Sequence, residues 1–235
     1  MDSHKQVVKA VGRWIDKLSD IPGWRAWKDQ SLANAVWLND DLPSMTKDIG
    51  DWVFEGATDR EHAIVTSYYS LISTVTSLKD CEYYFRRYPF KGLPVSKDEH
   101  LRYVCEMYFG RFYEFSERLK KCGDMVQAHC GRHSSVIFGK LIKSFKSDFD
   151  EEIRERHHVH HHDRFEDIRL HNLSLTQHAF IDHDLSLAWK RAHAVAYRKM
   201  VREMVERVRT KSDMMDGYLN AVATVLLAEC AFLRD

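Results

Sequence analysis

Proline is scarce in this chain of 235 residues: there are four, and none follows Pro94. Glycine is also sparse, at ten. A proline-free stretch of about 140 residues does not fit a turn-rich β fold, which needs these residues to reverse the chain, and it fits long helices well. No apolar run follows Met1-Asp2-Ser3-His4-Lys5, so no signal peptide is expected there. The most apolar segment, Tyr218 to Leu233, is short and interrupted by Asn220, Thr224 and Glu229, too polar for a membrane span. The expectation is a soluble, cytoplasmic protein that engages no membrane. An excess of charge of one sign is missing too: 35 basic residues balance 35 acidic ones, which excludes a uniformly basic coat for nucleic acid but not a local patch. No Gly-rich phosphate loop, nucleophile elbow or dinucleotide fingerprint is present, against kinase, hydrolase and dehydrogenase chemistry, and no cofactor is expected.

The five cysteines, Cys81, Cys105, Cys122, Cys130 and Cys230, are odd in number and widely spaced, as reduced thiols would be. Cys122 and Cys130 with His129 and His133 could be drawn as a zinc site, but no Cys-x-x-Cys hook supports it. Cys105 falls on an apolar helical seam and reads as core.

What remains reads as an all-α protein, an antiparallel bundle of four to five long helices behind a short-helical N-terminal extension. The extension, residues 1–57, carries Trp14, Trp24, Trp27, Trp37 and Trp52, punctuated by Pro22-Gly23 and Pro43, and its rings are expected to pack it onto the main body, residues 58–235. Thr58-Asp59-Arg60-Glu61 has the form of a capping box. After it Ile64, Tyr68, Leu71, Val75, Leu78 and Phe85 recur at three- and four-residue steps, a bundle seam that should end before Pro89. Ser96-Lys97-Asp98-Glu99 opens a second helix with Leu101, Cys105, Tyr108, Phe112, Phe115 and Leu119 inward, expected to end at Gly123. A third, from about Ser134, turns Phe138, Leu141, Ile142, Phe145, Phe149 and Ile153 inward. A fourth is expected from near Leu175 to Lys211, and a fifth after Asp213.

Histidine is abundant: 14 in all, five of them within the six residues His157 to His162. The surrounding stretch, Asp150-Glu151-Glu152-Ile153-Arg154-Glu155-Arg156-His157-His158-Val159-His160-His161-His162-Asp163, permits three readings. Histidines at a helix end can simply be solvated there, favoured by the helix dipole when protonated. His157 with His161, or His158 with His162, lie four apart and could chelate a metal with Asp163 or Glu155, although no His-Glu-x-x-His or second ligand cluster completes a site. The third reading is metal-free RNA cleavage through the substrate's own 2′-hydroxyl. That reaction needs a group to take a proton, a group to return one to the leaving oxygen, and a cation for the charge on phosphorus. Imidazole titrates near neutrality, and guanidinium offers a permanent planar fork. Arg156 and His161 supply both types within a turn and a half.

Arg156-His157-His158-Val159-His160-His161 resembles the Arg, polar residue, three of anything, His pattern of the HEPN superfamily of helical-bundle domains, many of them RNases of toxin–antitoxin, defence and RNA-processing systems. The layout of long helices around the motif is similar from Thr58 onward. The resemblance implies that Arg156 steadies the phosphate, that His161 is the general base or acid, and that His157 orients them. It also implies a homodimer in which two motifs face one cleft, an RNA substrate, and a possible antitoxin protein as partner. On a straight helix positions 156 and 161 lie about 140° apart, so either the helix breaks or each protomer donates to a shared site. Arg154 with His160 forms an overlapping register. Residues 132–170 are balanced, eight basic against eight acidic. Help with a polyanion would come from the helix after His183, where Lys190, Arg191 and Arg198, with Lys199, Arg202, Arg207, Arg209 and Lys211, outnumber Asp184, Glu203 and Glu206. The other two readings are a non-catalytic HEPN-like module that binds RNA, nucleotide or protein, and a metal-binding bundle.

Overall fold

The computed structural model describes residues 2–36, 50–161, 168–182 and 187–234. Among them are eight α-helices and no strand: α1 (Ser3–Leu18), α2 (Trp24–Val36), α3 (Gly56–Arg86), α4 (Lys97–Cys130), α5 (Arg132–Asp148), α6 (Asp150–His161), α7 (Ile168–Asp182) and α8 (Leu187–Glu229), with a 3₁₀ turn at Ala231–Leu233. The all-α bundle expected from the sequence is present.

Three long rods and one segmented rod make the bundle. α3 and α4 are antiparallel across a ten-residue turn. α8 runs against α3, with Arg209 on Glu82 and Lys79 on Asp216. It runs alongside α4, from Lys97 over the Tyr197 ring at one end to the Cys130 thiol donating to the Glu229 carbonyl at the other. The fourth rod is α5, α6 and α7 in succession. Phe149, at φ −118° and ψ 24°, bends α5 into α6, yet its N–H still donates to the Phe145 carbonyl and Ile153 N–H to its own. These two bonds keep the joint closed at Phe149 and leave both segments on the same core. That core is aromatic at its centre: Phe115 stacks on Phe145 at 4.9 Å, and Phe149 contacts Phe112 at 5.2 Å and Phe145 at 4.6 Å. All four rings are fully buried.

Several expected boundaries move. The Ser96 box forms as read: Ser96 Oγ accepts from Glu99 N–H, and Glu99 Oε2 accepts from Ser96 N–H at 3.0 Å. The Thr58 box does not. α3 starts two residues earlier, at Gly56 with φ 58°, and Glu61 instead accepts the Trp14 indole N–H at 2.8 Å. Gly123 does not end α4, which continues to Cys130 and stops at Gly131 with φ 93°. Gly123 marks instead the closest approach of α5, since a Cβ there would lie 2.9 Å from Phe138 Cβ. Asp213 does not divide the last helix either. Val208, Ser212, Met215 and Leu219 continue one buried seam through it, so α8 is a single rod of 43 residues. At its other end, residues 175–182 belong to α7 and not to the rod that follows.

α1 lies across α3 and the C-terminal part of α8, with Val7, Ala10, Val11 and Trp14 buried. Its polar ties are specific: His4 Nδ1 lies 2.8 Å from the Tyr68 hydroxyl, and His4 N–H donates to Asn220. Trp24, Trp27 and Trp52 gather with Phe54 into one aromatic knot, Trp24 stacked on Trp27 at 5.2 Å. Trp37 and Pro43 lie outside the described residues.

Candidate functional site

The motif helix α6 is held in place by an acid. Glu152 is fully buried. Its Oε1 accepts from Arg207 Nε and Nη2 at 3.1 and 3.0 Å, and Lys211 Nζ stands 3.1 Å from Oε2. Glu151, largely exposed, adds a second carboxylate to Arg207 at 3.1 Å. The cations also lie on aromatic faces, Arg207 over Phe109 and Lys211 over Phe149, which stabilises them where water is excluded. Burial is the largest influence on Arg207 and opposes its charge, but the Glu152 and Glu151 carboxylates hold its pKa above the ordinary value. Burial, then the Glu152 charge, pushes the neighbouring Tyr108 phenol far up, so it stays neutral. This cluster locks α6 to α8 at a fixed rotation and leaves the next turn to face elsewhere.

The two arginines of that turn are in different states. Arg154 is largely exposed and ion-paired with Asp150 one turn back. Arg156 sits over the Tyr113 ring of α4, its guanidinium carbon 3.5 Å from the ring centroid, and among the described residues no carboxylate pairs with it. Stacking of this kind fixes the plane of a guanidinium while leaving its N–H edge for a ligand. Beside it, a cleft of about 310 Å³ opens between α4 and the α5–α6 bend, lined by Tyr113, Ser116, Glu117, Lys146, Asp150, Ile153 and Arg154. The Ser116 hydroxyl is buried at this cleft without a hydrogen-bond partner among the described residues.

His157, His160 and His161 lie on α6, which runs unbroken through His161; their side chains, with His162 and Asp163, lie outside the described residues. An unbroken helix keeps positions 156 and 161 about 140° apart on its cylinder within one chain. Lys190, Arg191 and Arg198 are exposed on the first turns of α8. They are not beside α6. With Glu152 opposite Arg207, Lys190 lies 17 residues further along, roughly 26 Å at helical rise. Between them α7 packs on α8 through Leu170 and Leu173, with Arg169 on Glu203 at 2.7 Å.

Sequence reasoning missed Glu152, which sits among Asp150, Glu151 and Glu155 with nothing to mark it as the one facing inward. The four-residue spacing of Arg207 and Lys211 was a usable signal, since it places both on one helical face. It also missed His193, buried where α7 meets α8, its Nδ1 2.9 Å from the Thr176 hydroxyl. Burial, then the nearby Lys97 charge, lowers its pKa. Among the described residues no group of three or more His, Cys, Asp or Glu is arranged to hold a metal ion, and no helix is long and apolar enough to cross a membrane. No protein-family model, curated protein or solved structure matches the chain.

Proposed function

We propose that the protein is a metal-independent endoribonuclease of HEPN type, with Arg156 as the phosphate-binding cation and His161 as the proton-transfer group. One observation carries the choice of residues: Arg156 is seated over the Tyr113 ring with no carboxylate partner among the described residues, whereas Arg154 is already neutralised by Asp150. This favours the Arg156–His161 register over Arg154–His160. A cation with a fixed plane and an unused edge is what a crowded, negatively charged phosphorus requires.

In the reaction, an imidazole takes the proton of the 2′-hydroxyl and the 2′-oxygen bonds to phosphorus. The bond from phosphorus to the 5′-oxygen breaks, and a second imidazole protonates that oxygen, leaving a 2′,3′-cyclic phosphate. Two imidazoles and two guanidiniums come naturally from two copies of α6 across a two-fold axis. The unbroken helix supports this arrangement, because Arg156 and His161 of one chain diverge whereas those of two chains can converge.

The test is cleavage of a labelled, structured RNA in excess EDTA. Wild-type protein should cut; Arg156→Ala and His161→Ala should each lose activity by roughly a hundredfold or more with helical content unchanged. Cleavage unaffected by either substitution, or abolished by EDTA and restored by zinc, would exclude the mechanism. RNA binding without any cleavage would leave a non-catalytic binding module.

A further inference from the structure

The fold brings two basic stretches without an acidic residue to one end of the bundle. The first is Tyr83 to Lys97, the end of α3 and the turn into α4, with Arg86, Arg87, Lys91 and Lys97. The second is Leu187 to Arg202, the start of α8, with Lys190, Arg191, Arg198, Lys199 and Arg202. In a chain of zero net charge these two segments hold nine cations and no anion. They meet because α8 overshoots α3: Arg209 is opposite Glu82, so the first turns of α8 extend beyond Arg86 and lie against the turn, where Lys97 sits 5.0 Å from the Tyr197 ring centroid. Among the described residues the neighbouring carboxylates are occupied, Glu99 by the Ser96 capping box. Glu82 is held by Arg209 and Arg86, Asp98 is buried, and Glu203 is held by Arg169.

Aromatic rings stand among these cations in solvent. Tyr83 and Tyr84 are 53% and 46% exposed, and Trp189 is 45% exposed. The Arg87 guanidinium lies 4.6 Å from the Tyr83 ring centroid, and Tyr84 meets Tyr83 edge-on at 5.8 Å. Large rings left in water beside unpaired cations satisfy no folding requirement. They match what an unpaired nucleic acid strand offers: phosphates for the cations and base faces for the rings.

We infer that the joined α3–α4 turn and α8 N-terminus form a binding surface for single-stranded RNA, separate from the cleavage centre on α6. The inference deepens the ribonuclease reading, on which it rests for the choice of RNA. The surface selects unpaired strands by stacking and supplies the positive potential that the balanced neighbourhood of α6 lacks. Along α8, the contacts of α7 at His193 and Glu203 lie between this surface and α6.

The probe is fluorescein-labelled 2′-O-methyl oligouridine, which lacks the attacking hydroxyl and cannot be cleaved, read by anisotropy with the full chain. Wild-type should bind it, with affinity falling steeply as salt rises. Tyr83→Ala with Tyr84→Ala should weaken binding by roughly fivefold or more per stacked ring. Arg87→Ala with Lys91→Ala, and separately Lys190→Ala with Arg191→Ala, should each flatten the salt dependence by about 0.7 in log–log slope for every phosphate left without its cation. Arg156→Ala should abolish cleavage of natural RNA and leave probe binding nearly unchanged, so the surface and the cleavage centre stand or fall separately. Binding indifferent to both cation pairs, equal affinity for a duplex of the same length, or a preference for phosphatidylserine vesicles over the probe would each overturn the inference. Circular dichroism of every variant excludes unfolding as the cause of a loss.

Discussion

The stretch of α8 from Leu187 to Asp216 divides into two halves that make a comparison within one continuous helix. From Leu187 to Arg202 there are five cations and no acid; from Glu203 to Asp216 there are Arg207, Arg209 and Lys211 with Glu203, Glu206, Asp213 and Asp216. In the second half the structure uses every cation: Arg207 and Lys211 on Glu152, Arg209 on Glu82. In the first half, Lys199 reaches Glu203 only at 4.0 Å and Arg198 merely caps its own backbone at the Ala194 carbonyl. Counting basic residues gives five against three and does not say which of them are free. Pairing separates them: one half uses its charge inside the molecule, and the other keeps it for a partner.

The largest effect that tests this contrast is on stability. Glu152→Ala removes the buried carboxylate, leaves Lys211 unpaired and leaves Arg207 only the exposed Glu151, and we expect a loss of about 3–5 kcal/mol in urea unfolding. A loss below about 1 kcal/mol would mean that the cations escape to water and the cluster does not fix α6. Next in size is a conversion of the first half into the second. Val195 is exposed, four residues from both Arg191 and Lys199. Val195→Glu should form ion pairs with both and lower affinity for single-stranded RNA by roughly threefold per neutralised cation, with stability unchanged or slightly raised. Unaltered RNA affinity would show that this face is not used.

A third, smaller effect concerns acid. The first half of α8 is anchored by a neutral bond, Thr176 to His193, and not by ion pairs; Lys97 and Asp98 are the charged groups that face this histidine. Burial lowers the folded-state pKa of His193 from 6.5. As pH falls below 6.5 the unfolded chain therefore takes up this proton before the folded chain does, and stability declines from there downward. His193→Gln, which cannot titrate, should flatten that part of the pH–stability curve; an unchanged slope would assign the decline to other groups. Smallest of all, Lys190→Ala with Arg191→Ala should shift unfolding by no more than about 0.5 kcal/mol, as expected for exposed cations with nothing to hold.

Helix seams were legible because burial repeats along a helix: nearly every apolar position read from the spacing is in the core, from Ile64 to Phe149. Ends were less legible. Gly123 looks like a stop and is a contact point for Phe138; Asp213 looks like a break and is one exposed residue on a continuous rod. Both errors have one cause, that a local signal competes with packing against a helix distant in sequence. Within the candidate site, Arg156 was identifiable from its motif, but its seat on Tyr113 depends on how α6 is rotated, and Glu152 sets that rotation from inside an acidic run. The acid-free segments were visible as strings of letters. Their meeting at Lys97 and Tyr197 depends on how far α8 overshoots α3, which no local pattern encodes.

The docking of α1 sets an order of events during synthesis. This helix is made well before α8, yet the cover for its apolar face includes α8 near Asn220 and Thr224 and the ring of Phe232, with His4 and Ser3 bonding across more than two hundred residues. At translation rates of about 5–20 residues per second, Val7, Val11 and Trp14 wait roughly 10–40 s for those partners. Through that interval the nascent chain carries an unsatisfied greasy stripe near its start. Completing the fold is the act of its final helix, and a chain released short of Asn220 would display that stripe to whatever binds exposed apolar surface.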